Sequence, residues 1–279
     1  MIGRMQKKRT ILGIINDMPK RASMVSGASQ MRVKKTSMEE PGLVVELVGP
    51  AASGKSSLIG ALTQSNEGFT VGAAPRRRRI RDVLNFVSNA FLMLPIFLGQ
   101  YRKDRWFTWE EIKDLVFLKG WHHAFRRQAA YGSITLVENS PIFKLTRLHA
   151  FGPENMRGPG FDRWWAIMLK QWGNTVDTII WLDAPDEILI ARVHARGRWH
   201  RIMGMPGKAA NEFLARYRQS YERILPEFTV NYGTRLIRLD TNQQSLSQMR
   251  DKVLAAYDLG NGQVGVSERT PVDPEETNT

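Results

Sequence analysis

Apolar residues along the chain fall into short buried runs separated by longer amphipathic stretches. Leu43-Val-Val-Glu-Leu-Val48, bounded by Gly42 and Gly49, has the composition and length of a buried strand. Similar runs occupy Ile134–Glu138, Thr178–Asp183 and Arg235–Leu239, with a weaker one at Phe69–Val71. Helical periodicity fills the intervals. It predicts helices at Lys55–Thr63, two between Arg79 and Ala130, one around Phe161–Trp172, then Asp186–Arg196, Ala209–Leu225 and Leu246–Tyr257. Asp186 stands where it would cap the helix it opens. Strands alternating with helices predict an α/β fold, with a five-stranded parallel sheet between two helical layers. No internal repeat breaks the order.

Between the first strand and the first helix lies Gly49-Pro-Ala-Ala-Ser-Gly-Lys-Ser56. This is the G-x-x-x-x-G-K-[ST] phosphate-binding pattern in the strand–loop–helix context that gives it mechanical meaning. Backbone amides of such a loop wrap the phosphates of a nucleotide, and the helix N-terminus adds partial positive charge. Gly49, Pro50, Ala51, Ala52, Ser53, Gly54, Lys55, Ser56 and Ser57 are therefore the expected nucleotide-binding residues. Lys55 would reach the β- and γ-phosphates, and the Ser56 hydroxyl would hold Mg²⁺.

Composition narrows the partners. The 279 residues carry a formal net charge of +13 and no cysteine. Disulfides, thiolate metal sites and a cysteine nucleophile are thereby excluded. The lack of thiols also suits a reducing cytoplasm, the expected location. Positive charge points to acidic partners: nucleotides first, with nucleic acid or anionic lipid as lesser alternatives. Much of it sits in residues 1–40, read as a basic, disordered arm or as residues upstream of a natural start at Met38. More lies in Arg76-Arg-Arg-Arg79 with Arg81, and between Arg192 and Arg201. Residues 41–258 form the expected folded domain, and 259–279 a disordered polar tail. The apolar stretch Val83–Leu98 is shorter than the ~20 residues that span a bilayer and is interrupted by Pro95. It reads as a buried helix on the substrate side, with peripheral membrane contact as the second reading.

The remaining motifs discriminate among nucleotide-binding proteins. No Asn-Lys-x-Asp guanine reader is present, and Ile134–Glu138 ends in one carboxylate rather than an Asp-Glu pair. At the carboxyl end of a strand, Glu138 would lie beside the phosphate loop, where it could join the Mg²⁺ shell or take a proton from an acceptor hydroxyl. Arg192 and Arg196, four residues apart, share a helix face. Arg198 and Arg201 follow in a glycine-containing loop, suited to neutralising charge on a transferring phosphoryl group.

Four blocks together resemble the nucleoside and nucleotide kinases, thymidylate kinase most of all. They are the loop at Gly49–Ser56, Leu-Asp-Ala-Pro-Asp at 182–186, the Arg192…Arg196-Gly-Arg198 lid, and the pair Glu212–Arg223 and Leu236–Thr241. The resemblance implies an ATP-dependent kinase using Mg²⁺ and a small-molecule acceptor; the alternatives are a nucleic-acid-binding protein or polynucleotide kinase, and a non-catalytic nucleotide sensor peripheral to a membrane, and a dimer is compatible with each. It implies that Lys55, Arg192, Arg196 and Arg198 act on the donor phosphates and that Thr241 and Asn242 border the adenine. Where the family carries Asp-Arg-Tyr or Glu-Arg-Ser, this chain has Glu138-Asn139-Ser140, so the acceptor-binding arginine is absent. Arg147 is the candidate replacement and His149 a candidate contact to an acceptor hydroxyl. Trp164 and Trp165 read as core residues before a stacking platform.

Overall fold

A computed structural model describes residues 42–65, 68–72, 87–91, 93, 105–129, 133–158 and 161–257. The chain divides into two units, residues 1–38 and 39–279, and all described residues belong to the second. The expected arm, the Arg76–Arg81 cluster and the polar tail lie outside the described residues. Most of the 83–98 stretch does too, residues 87–91 being helical. Among the described residues no helix is long and apolar enough to cross a membrane.

Five strands, β1 (Leu43–Val48), β2 (Phe69–Val71), β3 (Ile134–Glu138), β4 (Thr178–Asp183) and β5 (Arg235–Asp240), form one sheet in the order β2-β3-β1-β4-β5. Every adjacent pair is parallel. Among the described residues the helices around the sheet include α1 (Lys55–Ser65), α2 (Trp109–Gly120), α3 (His122–Gln128), α4 (Pro141–Phe151), α5 (Asp162–Gly173), α6 (Asp186–Ala195), α7 (Gly207–Tyr232) and α8 (Leu246–Ala255).

Because strand side chains alternate, each run supplies both sides of the sheet. Val44 and Val48 join Val137, Ile179 and Trp181 in a core with residues of α2, α3, α4, α5 and α7. Val45 and Leu47 join Leu136, Ile180 and Leu182 against α1 and α8. Full burial of each such side chain contributes about 1.5–3 kcal/mol, so both layers are needed to hold the sheet. A smaller cluster around Leu189, Val193, Ile202, Ala210 and Leu214 holds the segment between α6 and α7 in place.

Three departures from the sequence expectation have physical causes. Helix α4 was expected only as an acceptor-side segment, although Ser140-Pro141 is a helix-start pattern; in the structure the Ser140 side chain makes no cap bond and Pro141 opens the helix. Helix α7 runs through Pro226 rather than ending at Leu225, and closes at Gly233 with φ 64°. Asp186 does not cap α6; Pro185 holds that position and Asp186 is instead ion-paired with Arg218.

Candidate active site

In open parallel sheets ligands bind beyond the carboxyl ends of the strands, where the strand order reverses. The cleft occupies that position, with a volume of about 1490 Å³. The phosphate loop between β1 and α1 forms its floor, all of residues 49–57 contributing. The loop's shape depends on backbone that most side chains disfavour. Gly49 adopts φ 139°, and a Cβ there would sit 2.0 Å from the Leu182 carbonyl oxygen. Ala52 holds φ 61° despite its side chain, a local strain typical of ligand-binding turns. Tyr221, buried on α7, accepts a hydrogen bond from the Gly49 amide (3.3 Å), tying the loop to the helical layer.

Lys55 is folded into this loop. Its Nζ donates to the carbonyls of Gly49 (3.0 Å) and Pro50 (2.8 Å). Burial lowers its pKa to about 8, with Glu138 opposing the shift and Arg196 adding to it. The Ser56 hydroxyl donates to Glu138 Oε2 at 2.9 Å, and Asn139 Nδ2 donates to the other oxygen at 3.2 Å. A serine hydroxyl and a carboxylate beside a phosphate loop are hard oxygen donors of the kind Mg²⁺ takes alongside phosphate oxygens and water. Among the described residues no cluster of three or more His, Cys, Asp or Glu could hold a metal. A cation here would therefore draw most of its ligands from a nucleotide and solvent.

On one side of the loop, Arg192 donates to Thr241 Oγ1 (2.8 Å) and to the Thr241 carbonyl (2.9 Å). Arg192, Arg196 and Thr241 line the cleft, together with Gln244, Leu246 and Met249, which the sequence did not single out. Arg198 and Asn242 are exposed and do not line it. The three arginines thus divide, with Arg192 and Arg196 lining the cleft and Arg198 outside it.

The opposite wall is aromatic and charged: Trp109, Phe117 and Trp121 come from α2 and its end, Phe143 from α4, and Phe213 and Tyr217 from α7. Phe143 and Tyr217 are stacked with centroids 6.1 Å apart. Asp114, 2% exposed, sits between two α4 cations. Lys144 Nζ donates to its Oδ1 at 2.9 Å, and Arg147 Nε donates to its Oδ2 at 2.7 Å. Arg147 therefore reaches the cleft, as a partner of Asp114. Trp164 and Trp165 do not line the cleft. Trp164 is in the core, and Trp165 Nε1 donates to the Met156 carbonyl at 2.6 Å. No motif marks Trp109, Asp114 or Phe117, whereas Tyr217 falls within the Glu212–Arg223 block. The signals present were the capping box at Thr108–Glu111 and the lone acid amid Leu115, Val116 and Leu118.

His149 also does not line the cleft. Its Nδ1 lies 3.0 Å from Ser220 Oγ, and its ring meets Trp165 edge to face. Burial, with Arg223 and Arg157 nearby, holds its pKa down at about 4. The folded protein keeps this ring neutral while an unfolded chain protonates it near pH 6.5. Its contribution to stability is therefore present above pH 6.5 and lost as pH falls toward 4. Thermal unfolding of His149→Gln should accordingly show a shallower loss of stability over that window than the unsubstituted protein. Equal slopes for the two would refute the assignment.

A parallel sheet in this order, covered by helices and with a glycine-rich loop after its central strand, is the fold of the P-loop nucleoside and nucleotide kinases. The sequence matches no protein-family model and no curated protein. Among solved structures, the chain is similar to thymidylate kinase from Candida albicans, with a TM-score of 0.50 and 14% identity over 79% of this chain and 92% of that one. It is also similar to deoxyadenosine kinase from M. mycoides, with a TM-score of 0.42 and 14% identity over 78% of this chain and 100% of that one. The fold assignment rests on the first of these.

Proposed function

We propose that the chain transfers the terminal phosphoryl group of ATP to a small acceptor of the nucleoside or nucleotide kind. The observation that carries this reading is that Lys55 and the bonded Ser56–Glu138 pair open into the same cleft as a separate aromatic wall. A nucleotide-binding switch or sensor needs only the first of these features. Six lysines and arginines line the cleft against three carboxylates, a balance that favours an anionic donor.

In this reading the phosphate-loop amides and Lys55 hold the donor phosphates, and Arg192 and Arg196 cover them from the lid. Mg²⁺ at Ser56, with Glu138 beside it, would neutralise charge on the phosphate oxygens. Glu138 accepts the proton of an acceptor hydroxyl as its oxygen bonds to the γ-phosphorus and the bridge to ADP breaks. The aromatic wall orients the acceptor and keeps water from competing.

An ADP-release assay over nucleosides, nucleoside monophosphates, sugars and short oligonucleotides tests the reading. Acceptor-stimulated ADP formation from one of the first two classes is expected. ADP release indifferent to every acceptor would sink it. In the same assay Glu138→Gln should lower kcat by about 10²-fold, the usual contribution of a positioned general base, with ATP affinity little changed.

A further inference from the structure

Strand β1 carries one charged residue, Glu46, and it is fully buried. It points to the same side of the sheet as Val44 and Val48, toward α4. Its carboxylate accepts three backbone hydrogen bonds from the start of that helix. The amides of Ser140 (3.1 Å) and Phe143 (3.1 Å) donate to Oε1, and that of Ile142 (2.9 Å) to Oε2. Pro141, between them, has no amide to offer. One carboxylate from the central strand thus satisfies the N-terminal amides that a cap normally serves, in a helix whose own N-cap side chain makes no such bond.

What this anchor holds is the acceptor wall. Immediately before the anchored amides, Asn139 takes φ 52°, turning the chain sharply after Glu138. Immediately after them, Phe143, Lys144 and Arg147 face the cleft. A shift of the helix start would move the Glu138 carboxylate and these three side chains together. We infer that Glu46 is a positioning residue that sets the acceptor wall and Glu138 relative to the phosphate loop, through the amides of Ser140, Ile142 and Phe143.

An ionisable group is kept in the strand interior at a cost, which argues against a merely space-filling role. Burial pushes the Glu46 carboxyl up to about 7, opposed by the three amides and by Lys144. An apolar residue would fill a strand interior with no such penalty, but would leave the three amides without an acceptor.

The inference rests on the kinase reading for its rate effects but not for its structural one, so the experiment has two arms. Glu46→Gln keeps the shape and weakens acceptance from the amides. In steady-state assays it should lower kcat/KM for the acceptor by about tenfold, the equivalent of roughly one hydrogen bond. Affinity for a fluorescent ATP analogue should change less than about twofold, because the amides that bind phosphate belong to another element. By amide hydrogen exchange, residues 140–147 should exchange faster while residues 49–57 do not. Should Glu46→Gln fail to fold, Glu46→Asp, which keeps the carboxyl and withdraws it by one methylene, is read in the same way. Unchanged exchange at 140–147, or equal losses in donor and acceptor binding, overturns the proposal. If the unsubstituted protein turns over no acceptor, the kinase reading fails and the exchange arm alone decides on Glu46.

Discussion

Replacing Lys55 with methionine is expected to lower ADP formation by roughly 10²–10³-fold or more, the scale for removing one preorganised charge from a transferring group. The same substitution is expected to leave the fold intact and to hold or raise its stability at pH 7. Lys55 is 9% exposed and its ammonium is held by two carbonyl oxygens, and burial lowers its pKa to about 8 from 10.5. Between those two values the unfolded chain binds the proton more tightly than the folded one, so Lys55 charged at neutral pH opposes folding. An apolar side chain of similar length removes that penalty, a gain of about 1 kcal/mol after the carbonyls lose their donor. Activity and thermal unfolding measured on one preparation check both halves. Substantial turnover in Lys55→Met would remove the phosphate loop from the mechanism.

The second large effect belongs to Asp114. Its carboxylate receives hydrogen bonds from Lys144 and Arg147 and is almost wholly enclosed. Removing one member of a buried pair costs about 3–5 kcal/mol, because the partner charge is left uncompensated. The side chains of Lys144 and Arg147 are 19% and 26% exposed, so solvent relieves part of that cost. Asp114→Ala is therefore expected to destabilise by about 2–3 kcal/mol, a Tm lower by roughly 4–12 °C in a domain of this size. It should also free two cations on the aromatic wall and shift preference among acceptors toward anionic ones. Differential scanning calorimetry, together with acceptor kinetics, measures the two consequences. An unchanged Tm would show that the two cations find other partners.

The strands and the phosphate loop were legible because their signals are local. Each strand run is short, apolar and bounded by turn residues, and its boundaries in the structure match the pattern closely. Gly49 had to be glycine for two reasons acting at one position, a left-handed φ and the approach of the Leu182 carbonyl. Only the first is visible in a motif. Helix α4 was missed for the opposite reason, since its cap is supplied by Glu46, 94 residues away from Ser140 in sequence. A charged residue inside a strand buried on both sides was the available clue: such a group requires a partner, and none was adjacent.

The acceptor wall shows the same division. Arg147 was singled out for its charge, yet its orientation depends on Asp114, 33 residues earlier on another helix. His149 was singled out for its type, and its contacts are with Ser220 and Trp165 instead. The sequence by itself determined the sheet and the glycine-rich loop after its central strand, because hydrophobic period and backbone requirement act between near neighbours. Only the tertiary structure decided which side chains face the cleft. That choice depends on how helices α2, α4 and α7 pack together, and on buried charges that must find partners far along the chain.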